Sequence, residues 1–168
     1  NNLSPREDNK LALEKHFGLP EGKENFVLGI VSRLTRQKGF DLLESIIEQF
    51  LKYTKAQLIV VGTGDGTLMD FFHELEAKLP KQVRAHLQFD DTVPHLVFAG
   101  ADVVIIPSLF EPSGLIQMEA MRFGAVPVAR IVGGLADTVE DFDPAKDTGT
   151  GCLFEEHDPT SLLIALVR

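Results

Sequence analysis

Three short apolar runs, Phe26 to Ile30, Leu58 to Val61 and Val103 to Ile106, are rich in β-branched residues and close on Ser, Gly or Pro. Runs of that length, apolar at consecutive rather than alternate positions, predict strands buried on both faces. Between them, Phe40 to Leu51 and Leu68 to Leu79 carry apolar residues at every third or fourth position with charges opposite, the spacing of crossover helices. The alternation continues with a strand at Ala85 to Phe89, a short helix at Val93 to Ala99, a helix at Gly114 to Phe123 and a strand at Val126 to Ala129. A strand at Gly151 to Phe154 and a helix at Pro159 to Val167 complete it. Right-handed crossovers between successive strands place helices on both faces of a parallel sheet. The expected fold class is therefore α/β, a single Rossmann-like domain, and 168 residues suit one such unit.

Charge and cysteine usage narrow the partners. A formal net charge of -9 repels phosphate backbones globally, so nucleic acid is not expected and any anionic ligand needs a local cluster of cations and amides. The single cysteine, Cys152, allows no internal disulfide and fits a reducing compartment, the cytoplasm or, for a plant chain, the plastid stroma. No apolar run reaches the roughly 18 residues of a membrane span, and the opening NNLSPREDNK holds no signal-peptide core, so no membrane partner is expected. His16, His73, His86, His95 and His157 show no metal-ligand spacing, so no protein-held metal or other cofactor is expected.

Ligands of parallel α/β sheets sit beyond the carboxyl ends of the strands, which directs attention to four loops. The first, Ser32-Arg33-Leu34-Thr35-Arg36-Gln37-Lys38-Gly39, places three cations within six residues. Arg33 offers a planar fork to phosphate oxygens and Lys38 a mobile point charge, although the same residues read equally as a solvated basic turn. The second, Gly62-Thr63-Gly64-Asp65-Gly66, lacks the third glycine of a dinucleotide fingerprint, which Thr67 replaces, and reads as turn chemistry that can line a pocket. In the third, Phe89 either stacks on a nucleobase or packs into the core.

The fourth loop runs from Pro107 to Ala120 as PSLFEPSGLIQMEA. Pro112 and Ser113 read as a helix start, with Gly114 permitting close backbone approach, so the amides of Gly114, Leu115 and Ile116 form an anion site at the helix N-terminus. Glu111 precedes that helix and Glu119 sits two turns inside it. If the intervening residues are helical, the two carboxylates lie about 10 to 12 Å apart along the axis, too far to share one glycosidic oxygen. Each also has a structural reading, Glu111 as a dipole-complementing charge and Glu119 as a solvated helix face.

The strings SRLTRQKGFDLL, FDD with the later FAGADVVIIPSLFEPSGLIQMEAMRFG, and VARIVGGLADTV resemble the C-terminal domain of bacterial glycogen synthases and plant starch synthases, between about Phe26 and Val139. That resemblance implies the C-terminal half of a two-domain GT-B fold. It also implies glucose transfer, with retention, from ADP-glucose or UDP-glucose to the non-reducing end of an α-1,4-glucan, without a metal. It implies that Arg33 and Lys38 bind the donor diphosphate, that Glu111 is the acid at the donor glucose, and that the Gly114 and Leu115 amides hold the distal phosphate. Phe89 takes the place of a base-stacking Tyr, Ser113 that of a frequent Cys, and Glu119 completes a Glu, seven residues, Glu spacing whose second acid touches ribose. The family's N-terminal acceptor domain is expected as this domain's partner and is absent from the sequence. Two alternatives stay open: a nucleotide-sugar-binding module without turnover, and a retaining transferase of the same fold that makes sucrose or trehalose.

Overall fold

A computed structural model describes residues 4–168. Of the polar N-terminal decapeptide, residues 1–3 lie outside the described residues. The remainder opens helix α1 (Ser4–His16), which the apolar periodicity does not announce. Six strands follow: β1 (Val27–Val31), β2 (Gln57–Val61), β3 (Val83–His86), β4 (Val103–Ile106), β5 (Val126–Arg130) and β6 (Cys152–Phe154). All neighbouring strands pair in parallel, in the order β3-β2-β1-β4-β5-β6. The chain winds outward from β1 to β3, then crosses back to lay β4 beside β1, so the order reverses between β1 and β4.

Strand burial explains why the apolar runs are continuous. Leu28, Ile30, Leu58 and Val60 point to one face and pack on α2 (Ile47–Thr54), α3 (Gly66–Lys78) and α7 (Pro159–Val167). Val27, Val31, Ile59 and Val61 point to the other face, covered by α1, α4 (Val93–Gly100), α5 (Ile116–Phe123) and α6 (Gly133–Thr138). With alternate side chains entering two separate cores, no position of β1 or β2 can be polar and solvated. The β1–β2 crossover is not the single helix Phe40 to Leu51. It begins with 3-10 turns at Arg36–Lys38 and Phe40–Leu43, and α2 starts only at Ile47. Phe40, Leu43, Ile47, Phe50 and Leu51 keep the expected buried face, because spacings of three and four serve a tight and a normal turn alike.

Strand β3 is Val83–His86 rather than Ala85 to Phe89, so Phe89 lies beyond the sheet. The other boundaries hold or move by one or two residues, the start of α5 among them. Helix α6 was not expected, because Gly133 and Gly134 occupy its first turn and each glycine costs a helix roughly 1 kcal/mol against alanine. Among the described residues no helix is long and apolar enough to cross a membrane.

Candidate functional site

The loops leaving β1 and β4 meet where the strand order reverses. Gly39 makes the approach possible: its φ is 72°, and a Cβ there would stand 1.9 Å from the Pro107 carbonyl oxygen. Two hydrogen bonds clamp the loops, from the Leu109 amide to the Gln37 carbonyl at 2.9 Å and from Gln37 Nε2 to the Phe110 carbonyl at 3.1 Å. Across this junction the Lys38 ammonium is ion-paired with the Glu111 carboxylate. The Ser108 hydroxyl, fully buried, donates to Glu111 Oε2 at 3.3 Å. Glu111 is only 8% exposed, and a carboxylate so withdrawn from water is tolerable because it is paired and hydrogen-bonded.

The helix after Glu111 starts later than the expected Gly114. Gly114 has φ 65°, a left-handed conformation that cannot belong to an α-helix, and α5 runs from Ile116 with Leu115 as its cap. Among the described residues no side chain caps it. Among the described residues the amides of Gly114, Leu115 and Ile116 donate to no protein acceptor. The orphan donors and the positive end of the helix dipole therefore remain available to an anion. Glu119 accordingly sits in the first turn of α5, not two turns inside it. The 10 to 12 Å separation presupposed a helical path that Glu111 to Leu115 does not follow. Ser113 is exposed.

Two cavities open along this edge. Lys38, Ser108, Glu111, Gly114 and Leu115 border one of about 40 Å³. Arg33, Gly62, Thr63 and Phe89 border the other, of about 180 Å³. Val31, Ser32 and Ile116 border both, so the two are adjoining parts of one cleft with the start of α5 between them. Phe89 is 86% exposed and presents a bare aromatic face, which excludes the core-packing reading. Arg33 is exposed and, among the described residues, forms no ion pair or side-chain hydrogen bond. The structure thus gathers Arg33, Lys38, Phe89, Glu111, Gly114, Leu115 and Ile116 into one cleft, whereas Ser113 and Glu119 border neither cavity. In the glycine-rich loop, Gly64 bridges to Leu34, and Asp65 caps α3 through the Thr67 amide at 2.9 Å. That loop is turn chemistry that also lines the cleft.

Sequence reasoning missed Gln37, Ser108 and Gln117. Gln117 is fully buried on α5 beside the equally buried Ala120. Its signal was available: a polar side chain at a position whose helical period points inward. Among the described residues no group of three or more His, Cys, Asp or Glu side chains is placed to hold a metal ion.

A six-stranded parallel sheet with unpaired amides at the start of the helix that follows β4, where the strand order reverses, defines a Rossmann-like domain. The family model for glycosyl transferases group 1 matches residues 12–166, and the chain belongs to that family. It is 40% identical to the glycogen synthase of Trichodesmium erythraeum over 168 residues, covering 100% of this chain and 36% of that protein. It is 42% identical to the glycogen synthase of Thermotoga maritima over 168 residues, covering 100% of this chain and 34% of that protein. The catalytic domain of starch synthase IV from Arabidopsis thaliana, solved with ADP and acarbose, superposes with a TM-score of 0.89 at 35% identity, over 99% of this chain and 35% of that one. The chain therefore spans about a third of the length of the curated relatives it matches.

Proposed function

We propose that this chain is the donor-binding domain of a retaining glycogen or starch synthase that moves glucose from ADP-glucose, or UDP-glucose, to the non-reducing end of an α-1,4-glucan. The observation that carries the reading is the pair of adjoining cavities, one bordered by Phe89 and Arg33, the other by the Lys38–Glu111 pair, with Ile116 at the open start of α5 bordering both. A nucleoside diphosphate sugar has the same order of parts: a flat base, a dianionic bridge and a hydroxylated ring.

In this reading the base lies against Phe89, and the diphosphate lies at the Leu115 and Ile116 amides with Arg33. The glucose lies beside Glu111. Cleavage of the anomeric bond leaves negative charge on the departing diphosphate, and preorganised cations and amides favour that state over the ground state. Lys38 then exchanges part of its attraction to Glu111 for the phosphate oxygens. Glu111 holds the sugar and offsets oxocarbenium character. As the anomeric bond breaks, the acceptor 4-hydroxyl gives its proton to the leaving phosphate oxygen and its oxygen bonds the anomeric carbon on the face the phosphate leaves, so configuration is retained. The acceptor glucan and a second domain that closes over the cleft complete the site, and no metal takes part. The similarity at 40% and above to glycogen synthases supports this substrate class over a sucrose- or trehalose-forming activity.

The test is a donor and acceptor panel on the whole protein, with calorimetry of ADP and UDP on this domain. Glucan elongation from ADP-glucose or UDP-glucose, with millimolar or tighter nucleotide binding by the domain, is expected. Transfer to fructose 6-phosphate or glucose 6-phosphate instead would replace the assignment, and absence of nucleotide binding would remove it.

A further inference from the structure

We infer that Gln117 is a positioning residue that orients the phosphate-facing amide of the cleft, an inference that rests on the donor-site reading above. Gln117 is 0% exposed, in the first turn of α5. Its Nε2 donates to the Gly114 carbonyl at 2.9 Å and to Thr138 Oγ1 at 2.9 Å. The Thr138 hydroxyl in turn donates to the Gly134 carbonyl, and the Gly134 amide donates to the Glu111 carbonyl at 3.0 Å. A chain of four hydrogen bonds thus runs from the backbone of Glu111 through α6 and Gln117 to the backbone of Gly114.

The consequence follows from peptide geometry. In a planar trans peptide the carbonyl of one residue and the amide of the next point in opposite directions. By holding the Gly114 carbonyl inward, Gln117 turns the Leu115 N–H outward, and Leu115 borders the cavity that also holds Lys38 and Glu111. Gly114, at φ 65°, has the freedom to rotate that peptide if the carbonyl is released.

Stability alone does not account for this residue. Gln117 Oε1 is buried and has no hydrogen-bond partner among the described residues. An unpartnered buried acceptor destabilises a fold, and an apolar side chain of the same length would avoid it. What the glutamine supplies and methionine lacks is the pair of N–H groups directed at Gly114 and Thr138.

Gln117→Met, Thr138→Val and Thr138→Ser test the inference by calorimetry with four probes: ADP, UDP, adenosine and uridine. Thermal unfolding is followed in parallel. Gln117→Met is expected to weaken the tighter-binding diphosphate by about tenfold, the scale of one charge-assisted hydrogen bond, with nucleoside affinity and melting temperature nearly unchanged. Thr138→Val should move in the same direction, and Thr138→Ser, which keeps the hydroxyl, should restore wild-type affinity. Diphosphate affinity within about twofold of wild type in Gln117→Met would overturn the inference alone. Parallel loss of nucleoside affinity and melting temperature would also overturn it, leaving Gln117 an ordinary packing residue. If the wild-type domain binds neither diphosphate more tightly than its nucleoside, the donor-site reading falls and the inference with it.

Discussion

Lys38 and Glu111, 73 residues apart in sequence, are ion-paired at the point where the sheet order reverses. The pair joins the one loop cation that borders the small cavity to the acid beside it. Each residue holds the other in place, and each keeps the other from carrying an unbalanced charge in a poorly hydrated setting.

Replacing Glu111 by Gln releases Lys38 for phosphate and removes a negative charge from the anion's surroundings. Transfer by the whole enzyme is expected to fall at least about a hundredfold, while ADP affinity stays the same or tightens. A rise in KM at unchanged kcat would show that Glu111 serves ground-state binding instead.

Lys38→Ala leaves Glu111 buried without its counter-charge and removes a stabiliser of the departing diphosphate. It should lower kcat by at least about a hundredfold and also lower the melting temperature. Arg33→Ala is expected to lower kcat on a similar scale with no stability change, because Arg33 is exposed and unpaired among the described residues. Near-normal turnover in both variants would return the first loop to a solvated basic turn.

Phe89→Ala separates binding from stability most cleanly. The ring is 86% exposed, so its loss should leave thermal unfolding unchanged. If it stacks on the base, ADP affinity falls about tenfold, within the range measured for aromatic–base stacking. Equal ADP affinity in the variant would leave this aromatic without a role in the cleft.

Glu119 borders neither cavity, but it lies three residues from Ile116, which borders both, and i and i+3 share a helix face. Glu119→Gln is expected to weaken ADP binding about fivefold, as for one hydrogen bond, with little effect on kcat. Loss of turnover at unchanged ADP affinity would reverse the roles of the two acids.

Two carboxylates that accept hydrogen bonds from amides at helix starts set an acid-side dependence: Asp158 caps α7, and Asp90 sits in the turn before α4. Hydrogen bonds from the Ser161 side chain and then its backbone hold the Asp158 carboxyl below its usual range, and the Val93 and Thr92 amides do the same for Asp90. A folded pKa below the unfolded value of about 3.9 means that the stabilisation is present above that pH and is lost as pH falls from there through the lower folded pKa. The melting temperature should therefore decline below about pH 4, and the Asp90→Asn, Asp158→Asn double variant, which keeps the accepting side-chain oxygens without the titration, should decline less steeply. Identical slopes would place the acid sensitivity elsewhere.

The α/β class, the strand and helix alternation and the loops that leave β1 and β4 follow from local chemistry: continuous β-branched runs, helical periodicity, and cations or glycines at strand ends. Those signals act over a few residues, so the sequence alone determined that Arg33, Lys38 and Glu111 lie at strand ends. It could not determine that Lys38 pairs with Glu111, because the 73 intervening residues carry no local trace of that contact. The start of α5 shows the same division. Pro112-Ser113-Gly114 has the composition of a helix start, yet α6 and Gln117 hold Gly114 in a left-handed turn and delay the helix to Ile116. Phe89 shows it in reverse, since its apolar character favours a core that β3, ending at His86, does not extend far enough to offer. Propensity and periodicity decide which elements form, whereas hydrogen bonds between distant segments decide which amides and charges stay unpaired, and only the packed tertiary structure specifies those.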